Sequence, residues 1–283
     1  MSFEALAIAH GLQIDKLYPS DRVQRCATVD KPRSKNGAFF WDGERGWVSD
    51  WSQGGEIYWL DSGKREFTEV ERRSWLDRKR SMEARQEQGW RNAALHAAML
   101  MRATKLKEHD YLMRKGLPDA LGLVTDDDDL IVPMRNLETN ELQGAQVIRW
   151  LADERRWEKK MLHGMRAKGA ILRLGPKHAQ DAFLVEGLAT GLSTELAARL
   201  MRLNAYVLVC FSDSNLVHVA SMLKRKAFVC ADNDVSGAGQ RAAEKTGLPW
   251  CMSPKIGEDM NDLHVRAGLM AVASMLMELR MRV

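Results

Sequence analysis

The sequence predicts an α/β protein, α+β over its whole length. Its main part reads as a mostly parallel sheet flanked by helices, with a small N-terminal β-rich module and a helical linker before it. Three observations lead there. From Ala182 onward short apolar runs alternate with helix-like segments, the pattern of strands joined by crossover helices. Ahead of residue 62, short aromatic runs are punctuated by Asn36-Gly37 and Asp42-Gly43, strong turn dipeptides. Between these parts, residues 63–115 are rich in helix formers and contain no proline. The expected segments are therefore 1–62, a β-rich module; 63–115, a helical linker; 116–178, a basic subdomain; and 179–283, the α/β domain with a C-terminal helix.

Composition bounds the function classes. The 283 residues are 45% hydrophobic and 28% charged, which suits a soluble globular chain with room for two or three modules. A net charge of +4 permits a nucleic-acid partner. Cys26, Cys210, Cys230 and Cys251 are widely separated and form no C-x-x-C pair, so they read as reduced thiols and no structural zinc is expected. No apolar run reaches membrane-spanning length and no basic-then-apolar leader is present. The expectation is a cytoplasmic protein without a membrane partner.

In chain order, Phe3 to His10 reads as a short amphipathic helix stopped by Gly11. The following turns and aromatics, Phe39, Phe40, Trp41, Trp47, Trp51, Tyr58 and Trp59, read as a small antiparallel sheet. Its tryptophans suit either a tiny core or a surface for stacking bases beside Arg22, Arg25, Lys31, Arg33 and Lys35. The linker mixes acidic and basic residues at helical spacing, as a solvated helix does, and Gly89 marks an expected break. Asp126 to Asp129 reads as a solvated turn, because four adjacent carboxylates repel one another. The apolar run Leu130 to Met134 follows, and Leu142 to Trp150 reads as a strand. Cations follow at Arg149, Arg155, Arg156, Lys159, Lys160, Arg166, Lys168 and Arg173, a supply suited to phosphate contact or to a plain solvated face.

Within the α/β part, apolar runs end in acids. Ala182 to Val185 leads into Glu186-Gly187, and Ala227 to Ala231 into Asp232-Asn-Asp234. Residues two apart on a strand share a side, so Asp232 and Asp234 can aim at one point. Hard oxygen donors of that kind suit Mg²⁺ or Mn²⁺, whereas an acidic helix-capping turn is the alternative. Gly237 and Gly239 allow the sharp turn that follows. Ser212 to Asn215 reads as a cap in which Asp213 has a structural task, and Gly257 to His264 supplies a third acidic cluster. No G-x-x-x-x-G-K-[ST] occurs, so no P-loop nucleotide engine is expected.

Glu186-Gly187, Asp232-x-Asp234-x-x-Gly237 and Asn261-Asp262-Leu263, in that order, resemble the Toprim domain of bacterial, phage and plasmid DNA primases. The same fold occurs in type IA and type II topoisomerases and some nucleases. Tyr111-Leu-x-x-Lys115-Gly116 and the basic stretch after it resemble the subdomain that precedes Toprim in phage and plasmid primases. The first 62 residues stand where such primases carry a zinc-binding module, without its ligands. The resemblance implies short RNA primers made on single-stranded DNA from ribonucleoside triphosphates, with two or more Mg²⁺ or Mn²⁺ ions and a replicative helicase on a separate chain. It assigns Glu186, Asp232 and Asp234 to catalysis, and Glu186, Asp232, Asp234 and Asp262 to metal. Glu186 is either a ligand or the base toward a 3′-hydroxyl. Glu258 and Asp259 are auxiliary candidates, Asn261 shapes the loop, and Lys245 and Lys255 are candidates for triphosphate. Lys31, Arg33, Lys35 and the cations from Arg149 to Arg173 would hold template. An accessory single-strand-binding protein without catalysis, or a nuclease with the same carboxylates, remains the alternative.

Overall fold

A computed structural model describes residues 2–20, 22–51, 55–60 and 69–282, with the side chains of residues 70 and 71 excepted. The chain divides into two units, Met1–Arg78 and Lys79–Val283.

In the first unit, helix α1 (Phe3–Ala9) precedes strands β1 (Leu12–Gln13), β2 (Gln24–Thr28), β3 (Gly37–Trp41), β4 (Gly46–Asp50) and β5 (Ile57–Trp59). Neighbours pair antiparallel in the order β1-β2-β3-β4-β5. Asp42 makes the β3–β4 turn by accepting from the backbone N–H groups of Glu44 and Arg45 at 3.0 and 2.7 Å. Asn36-Gly37 is not a turn. Gly37 opens β3 because a Cβ there would lie 2.6 Å from the Cys26 sulfur. The core is Phe3, Leu6, Ala7, Leu12, Cys26, Phe39 and Val48, with Trp41 partly buried against it. Burial pushes the Cys26 thiol up to about 11, so it remains protonated at neutral pH. Trp51 and Trp59 are instead 63% and 65% exposed, so the core reading holds for Trp41 and not for them.

The linker is one helix, α2 (Glu69–Arg102), unbroken at Gly89. A glycine inside a long helix costs only about 1 kcal/mol, and strong helix formers on both sides carry it. The expected boundary near residue 62 lies outside the described residues.

After α2 come β6 (Lys105–Lys107), α3 (Asp110–Arg114), β7 (Gly122–Val124), β8 (Leu130–Asn136), β9 (Leu142–Leu151), β10 (Arg156–Met161) and β11 (Ala170–Leu174). The α/β alternation follows: β12 (Asp181–Val185), α4 (Leu188–Leu200), β13 (Ala205–Val209), α5 (Asp213–Met222), β14 (Ala227–Ala231), α6 (Ala238–Thr246) and β15 (Trp250–Met252). Two helices close the chain, α7 (Met260–Ala267) and α8 (Leu269–Met281). A single final helix was expected; Gly268, at φ 82°, divides it.

All these strands join one mixed sheet, in the order β10-β9-β8-β11-β13-β12-β14-β15, with β6 and β7 continuing from β8. β13, β12, β14 and β15 run parallel, and β11 bridges them to the antiparallel part. β12, β13 and β14 are buried at every position. That is why they read as continuous apolar runs rather than as alternation. Phe183, Val185, Val207, Val209, Phe228 and Cys230 face one core with α4, α7 and α8. Leu184, Leu208 and Val229 face the other, with α5 and α6. Arg280 of α8 donates to Asp181 at the start of β12 at 2.7–2.8 Å, fixing the last helix to the central strand.

A carboxylate cluster at the switch point of the parallel strands

The chain leaves β12, forms β13 on one side of it, and crosses to form β14 on the other. This reversal opens a crevice beyond the carboxyl ends of β12 and β14, where ligands of open α/β sheets sit. Glu186 follows β12 directly, and Asp232 follows β14.

Backbone geometry brings a third acid in. Cys210 and Phe211 donate their N–H groups to the carbonyls of Val185 and Glu186 at 2.9 and 2.8 Å, drawing the β13 loop against the end of β12. Phe211 turns with φ 66°, an uncommon conformation for a bulky residue. Ser212 then caps α5, accepting from Asn215 N–H, while Asp213 opens the helix and its carboxyl hydrogen-bonds Glu186. The cap was legible in the sequence, but it belongs to Ser212. Asp213 is thereby freed to join the site.

The electrostatics follow from crowding. Burial first, then the charges of Asp213 and Asp232, a hydrogen bond with Asp213 and the charge of Asp234, lift Glu186 from 4.5 to about 8. Asp232 rises from 3.8 to about 7 through burial first and then the charges of Asp259, Asp213, Asp234 and Asp262. One Asp232 oxygen, Oδ1, is buried without a hydrogen-bond partner.

Asp234 differs. It accepts from Gly239 N–H at 2.9 Å, Ala238 N–H at 3.3 Å and the Ser236 hydroxyl, and these bonds, Gly239's foremost, hold it at about 2. The helix-capping reading of this turn therefore applies to Asp234, which stays a permanent anion beside the crevice. Gly237 adopts φ 67° at the head of α6. Gly239 has no substitute, since a Cβ would stand 2.3 Å from the Asp232 carbonyl oxygen.

The 257–264 segment contributes at the other rim. Asp259 and Asp262 form a reciprocal capping box on α7. Asp262 Oδ1 also accepts from Lys115 Nζ at 3.4 Å. Burial pushes Lys115 down, but the charges of Asp259, Asp262 and Tyr111 and the hydrogen bond to Asp262 outweigh it and raise its pKa. Asn261 fastens the corner by donating to the Lys115 carbonyl at 2.8 Å and to Ser193 Oγ at 3.0 Å, the loop-shaping task expected of it. Glu258 belongs elsewhere. It is buried against Arg266, Ser253 and Lys255, and these bonds, Arg266's first, hold it at about 2.

Among the described residues, no three His, Cys, Asp or Glu side chains already stand together as a metal cage. The donors at the crevice nevertheless suit a hard divalent cation. They are all oxygens, one buried carboxylate oxygen lacks a partner, and two carboxyls are raised, first by burial and then by the charges of neighbouring acids.

The basic stretch is divided by the sheet. β9 and β10 form a hairpin in which Trp150 opposes Trp157 and Arg149 opposes Glu158. Side chains alternate, so Arg149, Arg156 and Lys160 lie on one face with Glu158, and Trp150, Trp157 and Lys159 lie on the other. Arg149 pairs with Asp129, Arg156 with Glu154 at 2.5 Å, and Lys160 with Glu158 at 2.8 Å. Asp129 is thus buried, whereas Asp126 and Asp128 form the expected exposed turn and meet Lys105 and Lys107. Arg155 occupies the hairpin turn at φ 49°. Arg166 lies 5.0 Å from the centre of the Trp90 ring, Arg173 lies 5.3 Å from that of Tyr206, and Lys168 is exposed. In the first unit Lys31, Arg33 and Lys35 are exposed, and Arg25 stacks over Trp51 at 4.3 Å. Lys245 lines a cleft of about 420 Å³ between α5 and α6 with Arg241 and Asp213, and Lys255 is held by Glu258.

Sequence reasoning left Asp213 and Lys115 out of the site. Asp213 carried no signal beyond an S-D-S-N cap, and Lys115 lies 147 residues before Asp262. Its one signal was the Tyr-Leu-x-x-Lys-Gly string.

No protein-family model and no curated protein matches the chain. Among solved structures, the chain is similar to one from a complex of bacteriophage T7 lagging-strand DNA polymerase with primase domains of two gp4 subunits, bound to an RNA/DNA hybrid and dTTP. The match has 13% identity and a TM-score of 0.40, and it covers 62% of this chain and 90% of that one. Among the described residues, no helix is long and apolar enough to cross a membrane.

Proposed function

We propose that this chain is a Toprim-type DNA primase, joining ribonucleotides into short primers on single-stranded DNA. The observation that carries the reading is the crowding of Glu186, Asp213 and Asp232 at the switch point, with Glu186 at about 8 and Asp232 at about 7. Groups held at such values are poised to exchange protons for a cation near neutral pH. Asp232 and Glu186 would hold Mg²⁺ or Mn²⁺, with Asp213, Asp234 and Asp262 within electrostatic reach. Bound there, divalent ions stabilise the attacking and leaving oxygens of a phosphoryl displacement.

The chain's own residues divide the remaining work. Glu186, as the carboxylate nearest the end of β12, would accept the proton of the 3′-hydroxyl or join the cation's ligands. Asp213 orients it through their hydrogen bond. Lys115, held positive by Asp259 and Asp262, offers a charge to a phosphate at the rim. Arg155, Lys159 and Lys168, and Lys31, Arg33 and Lys35 of the first unit, are exposed cations for template phosphates. Ribonucleoside triphosphates, a single-stranded template and a helicase on another chain are the partners this reading requires. The test is primer synthesis with labelled ribonucleotides, single-stranded DNA and Mg²⁺ or Mn²⁺. Strand cutting without synthesis would replace the primase by a nuclease.

A further inference from the structure

One face of the β9–β10 hairpin carries an aromatic array that the carboxylate chemistry does not use. Trp150 and Trp157, directly paired across the strands, have ring centres 5.2 Å apart, with planes inclined at 59°. Trp157 also meets His109 at 5.2 Å and Tyr111 edge-on at 5.6 Å. Lys159 Nζ lies 5.2 Å from the centre of the Tyr111 ring, and the Arg114 guanidinium lies 4.9 Å from that of Trp150. Tyr111 is buried, whereas Trp150 is 36% exposed, so the array runs from the core to the surface and ends in an indole.

Its place is set by α3. Arg114 reaches Trp150, and the next residue, Lys115, reaches Asp262 at the rim of the carboxylate crevice. A strand passing that crevice therefore has a cation-flanked aromatic surface beside it. Folding alone does not require this arrangement. Trp150 packs on Trp157 and lies under the exposed Arg114 guanidinium, yet keeps 36% of its surface exposed, and Lys159 lies on the same face of the hairpin. Aromatic rings interleaved with cations are what non-sequence-specific binding of single strands uses: rings take the bases and cations take the phosphates.

We propose that Trp150, clasped by Arg114 and backed by Trp157, is a stacking platform for one base of a single-stranded nucleic acid passing the carboxylate crevice. The platform rests on the nucleic-acid partner of the proposed function but not on its chemistry. Its test therefore needs no catalysis. Binding of a labelled oligodeoxythymidylate and of an abasic strand of the same length is measured by fluorescence anisotropy with the full chain in EDTA. The wild type is expected to prefer the base-bearing strand. Trp150→Ala should lower affinity for that strand at least about fivefold, leave the abasic strand unchanged, and leave the salt slope unchanged. Trp150→Phe should retain most of the preference, and an unaltered thermal melt for each variant shows that the fold is kept. Equal affinities of wild type and Trp150→Ala for both strands would overturn the platform. Weakened ATP binding by Trp150→Ala with unchanged strand binding would also overturn it, assigning the ring to a free nucleotide instead.

Discussion

Replacing Asp232 by Asn removes one charge from the crevice at little cost in volume, and the consequence for stability can be worked out. Asp232 and Glu186 both titrate higher in the folded chain, at about 7 and about 8, than their ordinary values of 3.8 and 4.5. The folded state then holds more protons than the unfolded state between about pH 4 and pH 8, so stability falls as pH rises through that window. The rise at Asp232 corresponds to about 4 kcal/mol against its ionised form, and relaxation of the crevice and re-titration of its neighbours should leave about 2 kcal/mol. Asp232→Asn should therefore be more stable than the wild type by about that amount at pH 8 in EDTA, and no more stable at pH 4. Excess Mg²⁺ at pH 8 should narrow the gap, since a cation relieves the repulsion only where the charge exists. The assay is guanidinium unfolding followed by circular dichroism across pH, with and without Mg²⁺. A wild type as stable as the variant at pH 8 in EDTA would refute the reasoning, because the carboxylates would then not burden one another.

Three further outcomes are expected. Gly239→Ala, which sets a Cβ 2.3 Å from the Asp232 carbonyl, should destabilise the chain by about 2 kcal/mol and abolish primer synthesis; wild-type melting would contradict it. Arg280→Ala strands Asp181, only 5% exposed, without its partner and should cost about 3 kcal/mol in chemical denaturation. Lys159→Ala should lower the salt slope of single-strand binding by about 0.7, whereas Lys160→Ala, whose cation is already paired with Glu158, should lower it by less than about half as much.

Much of the α/β frame was legible because its strands are buried on both faces, so Ala182 to Val185 and Ala227 to Ala231 stand out as unbroken apolar runs ending in acids. The carboxyl ends of parallel strands then converge by topology, which placed Glu186 and Asp232 without any knowledge of side-chain contacts. What stayed hidden depended on three-dimensional pairing. Asp213 looked like a cap until Ser212 took that place, and Lys115 meets Asp262 only because the fold ties the end of α3 to the start of α7 through Asn261. The cations from Arg149 to Lys160 formed one basic stretch in sequence. Strand alternation sends them to two faces, and only the Lys159 side also carries the tryptophans.

The proposed chemistry is tested most directly by primer synthesis with wild type, Glu186→Gln and Asp232→Asn on single-stranded DNA, with labelled ribonucleotides and Mg²⁺ or Mn²⁺. The wild type is expected to make short RNA products. Both variants should fold, bind the strand as the wild type does, and make none at any template concentration. Undiminished products from either variant, or a wild type that binds single strands and joins no nucleotides, would contradict the assignment of these carboxylates to nucleotidyl transfer.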